Sequence, residues 1–294
     1  MSDPVFQALI ESNRRMTEVF ENKITEIDKT LDESVKAVPE AIRTNMNRNV
    51  YVDGVTGNDA NYGSKTMPVK TVNQAMRLVP QGAIGQIWLR PGQTFEVLRD
   101  NLQGSEKNLI IGAWGSVSEN NRPIFKSMPT SFGNEYHEIC AVFESMSKVN
   151  VKFMDVEVHT GHVSDSITKA PYGGSVGELV NGGYGGFFSR GGGVNEMSHF
   201  SVQFIRCTIR QQDFRLFTFY YGNLALSMSR SRVINEGANL ALCDKEVPKI
   251  LDIVDVTFEG FAEGATLKNL FKLTDSNYLM REITDLDYDT VPTQ

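Results

Sequence analysis

The sequence predicts a mainly β chain, a parallel β-solenoid preceded by an N-terminal α-helix that belongs to an oligomeric bundle. Three observations predict it. An apolar stripe of eleven-residue period fills the first 46 residues. Four later segments share one pattern of alternating apolar positions at near-constant intervals. Glycine is absent from the first 53 residues and then abundant, with ten of the 25 lying between Gly173 and Gly193.

The helix opens at Asp3-Pro4, where aspartate caps free N–H groups and proline suits the first helical position. Apolar residues then recur at Leu9, Met16, Phe20, Ile24, Ile27, Leu31, Val35, Val38, Ile42 and Met46, with Asn13 in the one polar gap. Leu9, Phe20, Leu31 and Ile42 are eleven apart, as are Asn13, Ile24, Val35 and Met46. Eleven residues in three turns average about 3.67 per turn, which gives a nearly straight or slightly right-handed bundle. So narrow a stripe has no core of its own and should meet copies of itself, with Asn13 fixing the register. The competing reading lays the helix on its own globular domain. Pro39 should kink or restart the helix, leaving 39–46 as a short second piece.

After Asn49 the pattern changes. Val50-Tyr51-Val52 reads as a strand, followed by turn signals at Asp53-Gly54, Gly57-Asn58-Asp59 and Tyr62-Gly63. Thr71 can cap a short helix with Val72, Ala75, Met76 and Val79 on one face. Gln86-Ile87-Trp88-Leu89 reads as a strand stopped by Pro91-Gly92.

This run resembles the opening segment of pectin-lyase-like right-handed parallel β-helices, above all those of bacteriophage tail fibres and tailspikes. The matching elements are Val52 to Asp59, Pro68-Val69-Lys70-Thr71 and Ile87-Trp88-Leu89-Arg90-Pro91-Gly92, about fifty residues in all. The resemblance implies a fold and a virion setting more than an activity.

The four repeating segments test the fold independently. They are Val151, Phe153, Val156, Val158; Val202, Phe204, Cys207, Ile209; Leu226, Met228, Ser231, Val233; and Leu251, Ile253, Val256, Phe258. Each places inward residues at offsets 0, 2, 5 and 7, and the starts lie 51, 24 and 25 residues apart. A repeat of this kind is a solenoid signature. One further rung is expected between the first two, with the glycine-rich tract as a loop off it. An antiparallel sandwich is the alternative. The fold class expected is thus mainly β, a solenoid that the resemblance implies is a right-handed parallel β-helix, behind an eleven-residue-repeat helical bundle. The bundle spans 1–48 and the β-helix 49–294, with its opening segment at 49–97, rungs at about 98–262 and a C-terminal cap or tail at 263–294.

Composition narrows the function. The net charge of −7 argues against a general nucleic-acid binder, and no run of about 18 apolar residues is present to span a membrane. Three scattered cysteines form no disulfide framework, and no secretory signal is visible, so a reducing compartment is expected. A sugar-cleaving β-helix needs two carboxyls about 5–10 Å apart. The outward columns read Asp155, Arg206, Arg230, Asp255; Glu157, Thr208, Arg232, Thr257; and Lys152, Gln203, Ser227, Asp252, with no two acids stacked. Asp252 and Asp255 are the weak catalytic candidates. Arg206 and Arg230 read either as a basic spot for an acidic sugar or as surface pairing. Tyr172, Tyr184, Phe187, Phe188 and Arg190 in the glycine-rich tract read either as sugar- or protein-contacting groups or as anchors packed on the solenoid. His159-x-x-His162 with Asp165 is a poor metal set, and Asp53, Asn58 and Asp59 fit turns better than calcium. No metal or cofactor is expected. Cys207 reads as a small buried residue.

The resemblance implies a homotrimeric virion fibre or spike, assembled in the host cytoplasm. Its N-terminal region would attach to another virion protein of tail, baseplate or head, and its β-helix would meet a host surface glycan or receptor. The rivals are a polysaccharide lyase or glycoside hydrolase on the same fold and a purely structural connector.

Overall fold

The computed structural model describes residues 3–99, 106–131, 138–140, 142–145, 148–162, 186–190, 198–218, 222–237, 241–243, 246–274 and 276–283. The chain divides into two compact units, Met1–Met46 and Asn47–Gln294.

The first unit is one helix, α1 (Pro4–Met46). The Asp3 carboxylate accepts the Val5 N–H at 3.0 Å, closing the free helix end. Arg14 pairs with Glu11 and Glu18, and Lys23 with Glu26, along exposed faces where each pair adds little. The helix does not restart at Pro39 as a short second piece, for α1 runs through it. Proline costs α1 one N–H donor, a loss that an exposed helix can bear. The stripe from Leu9 to Val38 stays open to solvent in the single chain, its apolar members 53–62% exposed and Asn13 exposed among them.

The second unit is mainly β and almost wholly parallel. Its first stack joins β1 (Asn47–Val52), β2 (Ile84–Leu89), β4 (Asn108–Ala113), β9 (Lys148–Met154), β12 (Ser198–Ile205), β15 (Gly222–Asn235), β16 (Lys249–Glu259) and β17 (Tyr278–Ile283). Its second joins β3 (Thr94–Leu98), β5 (Ile124–Met128), β10 (Glu157–His159) and β13 (Thr208–Gln211) to the later halves of β15 and β16. β15 runs through the corner and bonds in both stacks, so the two form one curled sheet of twelve strands. A third stack holds β8 (Phe143–Ser145), β11 (Phe188–Arg190) and β14 (Phe217–Thr218). Only the two-residue pair β6 (Thr130–Ser131) and β7 (Glu138–Ile139) is antiparallel among the described strands.

The register follows the apolar repeat. Val151, Val202, Leu226 and Leu251 stand side by side, as do Phe153, Phe204, Met228 and Ile253. All sixteen residues of the four segments at offsets 0, 2, 5 and 7 are buried, Cys207 and Ser231 included. Between the two halves of each segment the chain turns on one residue with positive φ: Asp155 at 57°, Arg206 at 52°, Arg230 at 48° and Asp255 at 54°. These left-handed corners, costly for side-chain-bearing residues, let the parallel ladder continue through the bend. Asp155 N–H still donates to Ile205 O at 3.1 Å and Arg206 N–H to Ser229 O at 3.0 Å.

One expectation is corrected here. No rung lies between β9 and β12, which pair directly from Lys148↔His199 to Met154↔Ile205. The 51-residue interval is one turn of chain, its extra length carried by 163–185 and 191–197, outside the described residues. After α3 (Leu267–Leu270), capped by Thr266, β17 adds another parallel strand to β16. The short helix α2 (Val72–Arg77) forms as its pattern requires, with Thr71 Oγ1 accepting the Gln74 N–H at 3.2 Å and Val72, Ala75 and Met76 buried.

Candidate functional site

The turn signals of the opening segment form a clamp. The Asp53 carboxylate accepts from the N–H groups of Val55 and Thr56, the Thr56 hydroxyl and the Gln93 amide. Burial works to raise its pKa, but these bonds outweigh it and hold the carboxyl at about 2. Asp59 takes the N–H groups of Lys70 and Thr71 at 2.8 Å each and the Thr71 hydroxyl at 2.8 Å. Asn58 caps the Ala60 N–H. Gly57 is required here, since a Cβ would stand 2.3 Å from the Val69 carbonyl oxygen. Every oxygen in this set is thus engaged in a turn, and no cluster of metal-ligating side chains occurs among the described residues.

Around the second stack lies an ionic strip. Glu157 meets His159 at 2.7 Å and Arg210 at 2.6 Å, while Arg210 also meets Glu236 at 2.5 Å. Arg232 bridges Glu259 and Glu119. The His159 ring and then Arg210, against burial, hold the Glu157 carboxyl at about 2, and Arg232 lowers that of Glu259. A general acid for glycoside cleavage needs the opposite displacement, upward. His162 faces Asp213 at 3.2 Å instead of sharing a ligand set with His159. Asp165 lies outside the described residues.

At the corners, Arg206 is spent on Asp155, with two bonds of 2.6 Å from Nε and Nη2. Arg230 and Asp255 are exposed at the next two corners. Asp252 points outward from β16 in register with Ser227 and Arg281. Asp252 thus stands on a strand and Asp255 on the corner three residues on, where φ is 54°.

The glycine-rich tract yields a correction. Phe187 and Phe188 are fully buried, and Phe188 stacks between Phe143 and Phe217 with ring centroids 5.1 and 5.2 Å away. They are core residues because β11 returns to the third stack, and Gly186 beside them has no room for a Cβ, which would sit 2.5 Å from Thr218 Oγ1. Tyr172 and Tyr184 lie outside the described residues, as does the side chain of Arg190. Burial raises the thiols of Cys140 and Cys207 to about 12, so neither is a nucleophile.

Sequence reasoning passed over a surface that the register creates. Tyr51 and Trp88 are cross-strand neighbours on the outer side of β1 and β2, and Gly112 of β4 stands next in line. Trp88 Nε1 donates to Asn49 Oδ1 at 3.0 Å, and its ring lies over Gly112, where a Cβ would come within 3.0 Å of Cζ3. Trp114, just past β4, meets Tyr51 at a centroid distance of 4.9 Å and carries the Arg90 guanidinium at 5.0 Å. All three rings are half-buried. The signal was Trp88 alternating with the buried Ile87 and Leu89, which sends it outward.

No family model and no curated protein matches this sequence. Two solved structures of the GH136 lacto-N-biosidase from Eubacterium ramulus are similar, each with a TM-score of 0.31. The native protein is 14% identical over 76% of this chain and 36% of its own; the selenomethionine derivative is 16% identical over 90% and 43%. The chain spans less than half the length of either, and at that TM-score the likeness bears on neither fold nor activity.

Proposed function

We propose that this chain is a component of a bacteriophage tail fibre or tailspike that attaches the particle to a host surface. In this reading three copies of α1 close their stripes against one another, and the parallel-stranded unit is a right-handed parallel β-helix that faces the host. The observation that carries the proposal is the apolar stripe of α1, more than half exposed over 30 residues in the single chain. Exposed surface of that kind is unstable in water until a partner covers it. The constant eleven-residue period makes an identical helix the partner whose grooves match over the full length. The opening-segment resemblance, with its Asp59 clamp on Lys70-Thr71, supports the virion setting. Glu157 and Glu259 are held in ion pairs with Arg210 and Arg232, which leaves neither placed as a general acid. Antibody raised against the chain, used to label intact virions for negative-stain imaging, tests the proposal. Label on a fibre or spike is the expected result, and virions without label, from cells that make the chain, would refute it.

A further inference from the structure

We infer that Tyr51, Trp88 and Trp114, with the carboxamides beside them, form a site for a surface polysaccharide whose pyranose rings lie against the Trp88 indole, next to Trp114 and the Arg90 guanidinium it carries. The inference rests on the reading of the parallel-stranded unit as the host-facing part of the molecule.

The two tryptophans of the chain both stand on the solvent side of the first strands. The opposite side is filled by Val50, Val52, Ile87, Leu89 and Ile111, so the core needs neither indole. Leaving large apolar rings half in water opposes stability unless another surface makes use of them. Their setting is built rather than incidental. Trp88 has its N–H committed to Asn49 and one ring face seated on Gly112, so what remains for a ligand is a flat π face in a fixed orientation. A ring already immobilised loses little entropy on binding.

Beside the aromatic column run two mixed ones, Asn49, Gln86, Ile110 and Lys152 in the first and Asn47, Ile84, Asn108 and Asn150 in the second, where Asn150 donates to Asn108 at 2.5 Å. Carboxamides both donate and accept, which suits hydroxyl groups better than it suits a single sign of charge. The strand positions on this outer side of β1, β2, β4 and β9 hold no carboxylate, and their only charges are Lys148 and Lys152 on β9. A pyranose ring combines an apolar C–H face with a rim of hydroxyls, and this surface offers a complement to each. Neighbouring strands lie about 4.8 Å apart. Successive sugars of an extended chain can therefore meet successive strands. A second copy of this chain would offer no such regular alternation of ring face and hydroxyl.

The test uses the full chain against an array of purified O-antigen and capsular polysaccharides, with tryptophan fluorescence as the second readout. Binding to at least one polysaccharide with a change in indole emission is expected. Trp88→Ala and Trp114→Ala should each weaken that binding about tenfold or more. Trp88→Phe, which keeps a flat ring, should fall between, and the thermal transition of all three should stay near that of the parent. Full binding in both alanine variants would overturn the site while leaving the host-surface reading intact. No polysaccharide bound across the array would overturn the inference, as would a lowered sedimentation mass in the variants, which would make the face a contact between copies. The virion label is read separately, so polysaccharide binding without label would sink the virion reading alone.

Discussion

Asp53 and Glu157 show how single residues hold this fold, each held by near neighbours, Val55 and Thr56 or His159, and by one partner distant in sequence, Gln93 or Arg210. Their ordinary carboxyl values are 3.8 and 4.5, and in the folded chain each is held at about 2. The unfolded chain then binds more protons than the folded one in acid. The stability that both contribute is fully present above about pH 5 and is lost progressively as the pH falls toward 2. Thermal melting followed by circular dichroism should show the midpoint dropping across that window, and Glu157→Gln should flatten part of the drop. A midpoint independent of pH there would contradict the two networks. The turns around Asp53 were legible in the sequence, because Asp-Gly and Asn-Asp announce themselves. Their partners were not. Asp59 clamps residues eleven and twelve positions on, Trp88 bonds to a side chain 39 positions back, and Glu157 meets Arg210 53 positions on. Only the register of the strands brings such pairs together.

At the scale of elements, period two within a strand and a near-constant interval between strands were enough to place the inward residues of β9, β10, β12, β13, β15 and β16. The shared offset of Asp155, Arg206, Arg230 and Asp255 was legible as well, though not its left-handed backbone, since aspartate and arginine do not signal positive φ as glycine does. The 51-residue gap misled because length alone cannot distinguish two turns of chain from one turn with an insertion. Phe187 and Phe188 misled for a related reason, since surrounding glycines suggest surface while the return of β11 to the third stack makes the pair core. Phe188→Ala should therefore destabilise the β unit by about 3–5 kcal/mol, read from denaturant unfolding. A cost below about 1 kcal/mol would place the ring at a surface and restore its reading as a contact residue.

For the whole molecule the proposal is of a helix that oligomerises and a parallel-stranded unit that binds a host surface without cutting it. Asp252→Asn and Asp255→Asn should leave host attachment unchanged, and the parent chain should release no new reducing or unsaturated ends from host polysaccharide. Release of such ends, lost in either variant, would contradict the account and favour the enzymatic rival. The central claim is that the stripe of α1 assembles the chain, and sedimentation equilibrium tests it most directly. The parent chain should have the mass of a trimer and so should Glu26→Ala, which alters only a solvated face. Ile27→Asp, which buries a charge in every copy of the stripe, should fall to the mass of a single chain while the β unit keeps its own thermal transition. A parent chain of single-chain mass, or an Ile27→Asp chain that stays assembled, would contradict the account.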